Sequence, residues 1–364
     1  MAAGFVGKIS KQLALSDMEE RILTSVDVRS WEDIQSLASA FPSISQIGVE
    51  IPKLSNAAVM ELGATFANAL VERAREERPV ALGAIAPPNA LFALNARVGI
   101  PLPTQGPTAG ATLGAASPID LRISNWPVRN QGQRGTCVAH GAAACVEHFT
   151  MVQTTADLSE QFLYWAIKTK TPDPHPNSDG TWLLYADQAL TNEGICAESV
   201  WPYVPTPVNP VSGQVPGKPT VAAIAAAAGN SLTGTVIQNP AGAAAAVLSA
   251  LGRGRVVGIC LPVFADPLTP NGPTNWTTNV GFNYGHVLNP PPTSKVVGGH
   301  CVCITGYIYD SEEPTGGYFI IRNSWDVQWG ALNPSAGVGR APEQGYGDIS
   351  ATYVDKYCWE LFHL

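Results

Sequence analysis

The chain has 364 residues, 45% of them hydrophobic and only 14% charged, with a formal net charge of −8. A chain of this kind buries a sizeable core and divides more readily into two units than one, and its acidic balance excludes a nucleic-acid or anionic-membrane partner. The most apolar runs, Val221 to Ala228 and Ala241 to Leu251, are too short to cross a bilayer. Met1 to Leu15, interrupted by Lys8 and Lys11, lacks the pattern of a secretory leader.

Residues 1–98 read as a small all-α unit. Ser16-Asp17-Met18-Glu19-Glu20 suits a helix start ahead of Ile22, Leu23 and Val26. Ser30-Trp31-Glu32-Asp33 caps a second run, and Ser55 opens a third through Val59, Leu62, Phe66 and Leu70. Residues 99–116 carry Pro101, Pro103, Gly106, Pro107, Gly110 and Gly114 with almost no charge, the composition of a linker. Three roles stay open for the helical unit: intramolecular inhibition of the larger C-terminal unit, recruitment of a partner, or a fold-assisting appendage.

The densest chemistry comes next. Asn130-Gln131-Gly132-Gln133-Arg134-Gly135-Thr136-Cys137 is a turn-forming run that ends at a cysteine, and from Val138 apolar residues recur at Ala142, Cys145, Val146 and Phe149 with helical spacing. Cys137 therefore stands at a helix N-terminus, where unpaired N–H groups and the helix dipole lower a thiol pKa. Thr136 offers a hydroxyl cap to that helix. Gln131 can fold its amide back beside the sulfur, and with the Cys137 N–H it would form an oxyanion hole; Gln133 is the lesser candidate for that role.

At these residues the chain resembles the papain-like (C1) cysteine peptidases, whose nucleophile segment has the form Gln-Gly-x-x-Gly-x-Cys. Arg134 stands where those enzymes carry a disulfide cysteine, Thr136 replaces their Ser or Ala, and Val138 replaces their aromatic residue. The likeness is therefore to bacterial-type members that lack this crosslink. Seven cysteines, an odd number with no dense framework, agree with a reducing, cytoplasmic setting.

The resemblance implies an α+β, papain-like fold over 117–364, with a helical left half and a β-barrel right half, entered at Ser117-Pro118-Ile119-Asp120-Leu121-Arg122. Leu158-Ser159-Glu160-Gln161 starts a second helix through Phe162, Leu163 and Trp165. After a Pro-rich loop, the resemblance puts Asp179 and Gly180 on the substrate cleft, ahead of a short helix ending near Gly194. A helix over Asn239 to Leu251 and a strand from Arg255 to Leu261 come after it.

Two later segments complete the constellation. Gly298-Gly299-His300-Cys301-Val302-Cys303 is a glycine turn entering an apolar strand with His at its start, and Tyr318 to Arg322 is a second strand running into Asn323-Ser324-Trp325. Paired strands would bring Asn323 beside His300, giving a nucleophile, a proton shuttle and an orienting amide. By resemblance, Trp325 shields the His300–Asn323 hydrogen bond, and Gly299 stands where relatives often carry a polar residue.

The expected reaction is hydrolysis of peptide bonds in a peptide or protein substrate through an acyl-enzyme, as an endopeptidase, with no cofactor and no metal. Acyl transfer or deamidation by the same triad, or a catalytically silent binding module, are the alternatives. Cys301 and Cys303 alternate on an apolar strand without a second ligand pair, which argues against a metal site. Cys145 and Trp126 read as core. His140, His148, His175, His286 and His363 read as surface or satisfied core histidines.

Overall fold

The computed structural model describes residues 81–86, 113, 117–124, 126–151, 157–205, 217–266, 273–290, 294–311, 313–331 and 343–364. The helix starts expected at Ser16, Ser30 and Ser55 lie outside the described residues, as does the 99–116 linker apart from Leu113.

Helix α1 (Cys137–Met151) runs through the centre. Its Gly141-Ala142-Ala143-Ala144 stretch carries little bulk, and residues 137–148 are all buried, the polar His140, Glu147 and His148 included, so the helix is covered on every face and not only along its apolar stripe. Helix α2 (Glu160–Lys170) is capped by Ser159, whose Oγ accepts the Phe162 N–H at 3.0 Å. Helix α3 (Leu183–Asn192) has an acidic cap brought from the far end of the chain: Glu360 accepts the N–H groups of Leu183 at 2.7 Å and Leu184 at 3.0 Å. Helices α4 (Val221–Ala228) and α5 (Ala243–Gly252) come next, then the short α6 (Asn279–Tyr284) and α7 (Ala351–Tyr357). The helix expected from Asn239 starts later, because Asn239 and Gly242 hold left-handed φ values of 48° and 68° and residues 235–238 are a strand.

The strands are β1 (Ile119–Asp120), β2 (Thr235–Gln238), β3 (Val257–Ala265), β4 (His286–Val287), β5 (Lys295–Tyr309), β6 (Gly317–Arg322), β7 (Tyr346–Ser350) and β8 (Glu360–His363). They form one sheet in the order β2-β8-β3-β5-β6-β7-β4, with β1 added to β5. All pairs are antiparallel except β4 with β7. This sheet is the expected β half; among the described residues its path is open from β2 to β4 rather than a closed ring.

Small residues let α1 lie close against β3 and β5. A Cβ on Gly141 would stand 2.7 Å from the Cys301 Sγ, and one on Gly258 would stand 3.5 Å from the Cys145 Sγ. That approach carries the first residue of α1, Cys137, to the stretch of β5 where His300 pairs with Leu261. Among the described residues no helix is long and apolar enough to cross a membrane.

Candidate active site

His300 is fully buried, and its Nε2 lies 2.7 Å from the Asn323 Oδ1. The same oxygen accepts the Ser324 N–H at 2.8 Å, which fixes the amide with its oxygen toward both donors and leaves Nε2 as the protonated ring nitrogen. Nδ1, on the other side of the ring, is buried with no hydrogen-bond partner among the described residues. Trp325 stacks on the imidazole at 4.3 Å and 24°, and Trp276 meets it edge-on at 5.3 Å and 86°. These rings exclude water from the His300–Asn323 bond. Trp276 carried no signal in the sequence, because it comes from the loop between β3 and β4.

The Cys137 sulfur is buried at the head of α1, taking backbone hydrogen bonds from Cys301, the residue after His300, from Gly83 and from Val138. These favour the thiolate. Burial, the largest effect, and the neighbouring Cys301 thiol overcome them and push the Cys137 thiol up. Burial also pulls His300 down to about 4 against the raising effect of its bond to Asn323. The expected low thiol pKa is therefore not the state of this site, where the helix end is outweighed by exclusion of water. Thr136 does not act as the expected cap either, since its hydroxyl is taken by the Tyr203 hydroxyl at 2.7 Å.

Gln131 is buried, and its amide is fixed from both ends. Its Oε1 accepts the Ser324 Oγ–H at 2.6 Å, and its Nε2 donates to the carbonyl oxygens of Arg134 and Ala81, each at 2.9 Å. Gln133 is exposed and points its backbone to Pro205, so it plays no part. Tyr203 ties the Gln131 loop down: its hydroxyl donates to the Gln131 carbonyl at 2.9 Å while accepting from Thr136. Arg134 is fully buried under this loop, donating to Gln161 Oε1 at 2.6 Å and to the Val204 carbonyl at 2.8 Å, with its guanidinium 4.9 Å from the centre of the Tyr203 ring.

A stretch of chain from well upstream in the sequence lies in the cleft. Residues 81–86 pass between Gly299 and Thr181: Ala84 N–H donates to the Gly299 carbonyl at 3.0 Å, Thr181 N–H to the Gly83 carbonyl at 2.9 Å and Ile85 N–H to the Thr181 carbonyl at 3.1 Å. The pairing with Thr181 is parallel. Gly180, at φ 87°, lets Ile85 and the Gly83 carbonyl come close, and its N–H donates to the Gly135 carbonyl at 3.1 Å. Lys168, buried with Asp173 at 2.8 Å, donates to the Gly180 carbonyl and holds that wall. Asp179 is exposed at the rim. Cys137, His300, Asn323, Gln131, Gly180, Gly299 and Trp325 thus lie around one cleft, together with Thr181, Lys168, Ser324, Tyr203 and the covering segment, which were not assigned roles from sequence.

Other residues singled out in the sequence have these surroundings. His140 and His148 are buried and bonded to the carbonyls of Thr136 and Leu121, and His286 pairs with Asp348. Cys145 and Trp126 are core. Among the described residues no cluster of His, Cys, Asp or Glu has the form of a metal site, and all seven cysteines are free thiols.

Residues 115–248 match the sequence model of the papain family cysteine proteases, a span that includes Cys137 and ends before His300. Among solved structures, xylellain, a cysteine protease from Xylella fastidiosa, is 20% identical, covers 78% of this chain and 94% of its own, and superposes with a TM-score of 0.52. The bromelain protease of Ananas comosus, solved with the E64 inhibitor, is 19% identical over 68% of this chain and 98% of its own, with a TM-score of 0.43. Digestive procathepsin L 3 of Tenebrio molitor larval midgut is 16% identical over 100% of this chain and 99% of its own, with a TM-score of 0.48.

Proposed function

We propose, from the match of residues 115–248 to the papain family cysteine protease model and from the papain-like fold, that the chain is a cysteine endopeptidase whose cleft is held shut by its own residues 81–86. Cys137 attacks the scissile carbonyl carbon and His300 takes the thiol proton. The carbonyl oxygen, now negative, is received by the Gln131 amide and the Cys137 N–H. His300 then passes the proton to the leaving amine, and water hydrolyses the thioester to free the acid and the thiol. Asn323 keeps Nε2 protonated so that Nδ1 is the nitrogen that accepts.

The observation that carries this reading is the occupancy of the Gln131 amide. A carbonyl oxygen, that of Ala81, already sits 2.9 Å from its Nε2, where the oxyanion of a bound substrate would develop. The covering segment meets the sulfur with its Gly83 N–H, a hydrogen-bond donor rather than an electrophile. It therefore supports a self-blocked state more than a cleavage complex. Release of the segment, by hinging or cutting between residue 86 and the catalytic unit at 117, rehydrates the Cys137–His300 pair and lets it ionise.

The test is peptide hydrolysis by the parent chain and by Cys137→Ala, with labelling by a peptidyl epoxide that traps thiolates. Hydrolysis and labelling of the parent that vanish in Cys137→Ala are expected; cleavage retained in the variant would sink the assignment. A reducing, cytoplasmic setting is part of the proposal, supported by Arg134 standing where relatives carry a disulfide cysteine and by the odd number of cysteines. Thiol titration of the chain taken from its native cells, expected to count seven, tests that placement.

A further inference from the structure

The covering segment also measures the cleft. Ala84 is 5% exposed, with Gly299 on one side and Thr181 on the other. Gly299 has no room for a side chain: a Cβ there would stand 2.2 Å from the Ala84 oxygen, and 2.5 and 2.7 Å from Cη2 and Cζ2 of Trp359. The edge of the Trp359 ring therefore lies against Gly299, the wall residue whose carbonyl takes the Ala84 N–H, and Trp359 and Ala84 are both buried beside it.

Trp359 is not free to retreat. It is 1% exposed, its N–H donates to the Cys260 carbonyl at 3.3 Å and its carbonyl accepts the Asn239 N–H at 2.7 Å, so the backbone is held on both sides. Glu360, the next residue, is fixed by capping α3. A buried indole held this way defines a hard boundary, because close-packed interiors accept an added methylene only by straining the surroundings.

We propose that Trp359 sets a size limit in the cleft, so that the place occupied by Ala84 takes glycine, alanine or serine and refuses leucine, phenylalanine and larger side chains. For the chain itself, the limit makes a small residue at position 84 a condition of closure. For substrates, which rests on the peptidase reading, it selects peptides with a small residue beside the Gly299–Thr181 walls.

The experiment uses the full chain with Ala84→Gly, Ala84→Val, Ala84→Leu and Ala84→Phe, and reads the rate of Cys137 alkylation by iodoacetamide, located by mass. Ala84→Gly stays near the parent rate, whereas Ala84→Leu and Ala84→Phe raise it about tenfold or more as the segment is forced out. Adding Trp359→Leu to Ala84→Leu opens the boundary and returns the rate toward the parent value. Melting curves check that the Trp359 variants fold; if Trp359→Leu does not, Trp359→Phe combined with Ala84→Val makes the smaller exchange. Parent-like alkylation of Ala84→Leu, or no rescue from a folded Trp359 variant, overturns the size limit.

A second arm reads substrates on Ala84→Leu, comparing peptides that differ only in alanine or leucine at the selected place. A kcat/KM about tenfold higher for alanine is expected; equal values overturn the limit for substrates. If no peptide is cleaved while the alkylation series behaves as stated, the peptidase reading fails and the size limit stands.

Discussion

The Gln131 amide and the Ala81 carbonyl, 2.9 Å apart, join the covering segment to the chemistry, and the same amide is oriented from behind by Ser324 at 2.6 Å. Ser324 in turn donates its N–H to the Asn323 oxygen that holds His300. One residue of the turn after β6 thus contacts both the Asn323 amide that holds His300 and the Gln131 amide, the proposed proton shuttle and oxyanion donor.

Ser324→Ala removes only one of those two links. The backbone bond to Asn323 survives, while the Gln131 amide loses the donor that fixes which end faces the cleft. The expected result is a kcat lower by about tenfold, less than the loss on deleting an oxyanion donor outright, with KM nearly unchanged. A kcat equal to the parent's would mean that packing alone orients Gln131. Steady-state kinetics on a chain with the cleft opened make the measurement.

Gly83 is the point at which that opening is most simply forced. A Cβ there would lie 2.1 Å from the Gly135 oxygen, 2.2 Å from its carbonyl carbon and 2.7 Å from its Cα, all backbone atoms that cannot swing aside. Gly83→Val should expel residues 81–86, raising Cys137 alkylation and peptide turnover together by about tenfold or more. Faster alkylation without faster turnover would separate the cover from the catalytic reading, and no change in either would remove the cover's inhibitory role.

The grouping of Gln131, Cys137, His300 and Asn323 was legible because the proposed chemistry restricts residue type at fixed places: an amide before the cysteine, a His entering a strand, an Asn ending its neighbour. The strand that pairs Cys260 with Cys301 and Leu261 with His300 was visible as an apolar run. What was not legible had no local pattern. Trp276 reaches His300 from a loop, and Glu360 caps α3 from the last strand, contacts made by chain folding over long separations. The segment Ala81-Leu82-Gly83-Ala84-Ile85-Ala86 has no charge, motif or cap, and its role comes from small size and free backbone groups alone. The misjudged thiol has the same origin, since the helix-end effect was read without the burial that this segment imposes.

The pH dependence of the cover is set by the directions of the two shifts. In the covered state His300 is depressed to about 4 from an ordinary 6.5, by burial and with no charged neighbour contributing, and Cys137 is raised above its ordinary 9.0. A depressed His favours the covered form above 6.5, and that preference is lost as pH falls from 6.5 toward 4; a raised thiol favours it below 9.0, and that preference is lost as pH rises beyond. The cover should therefore be tightest between about 6.5 and 9, and should loosen on either side. Alkylation rates, corrected for the thiolate fraction of a free cysteine, should show a minimum in that window. A corrected rate flat from pH 5 to 10 would mean that neither group is dehydrated by the segment.

Arg134 carries the last prediction. The guanidinium is fully buried, and it joins Gln161 and the Val204 carbonyl across the base of the Gln131 loop, packed against Tyr203. A planar, permanently charged fork can hold two oxygens and an aromatic face at once, which a lysine cannot. Arg134→Ala leaves the Gln161 and Val204 oxygens without their donor and opens a cavity beside Tyr203, at a cost of about 3 kcal/mol. Because Tyr203 holds the Gln131 carbonyl at 2.9 Å, the loss should also appear as a lower kcat in the opened chain. Arg134→Lys should recover part of the stability and little of the kcat. Denaturant melts beside kinetics separate the two effects: a variant destabilised with full kcat would confine Arg134 to packing, whereas a parent-like melt would mean that the loop does not depend on it.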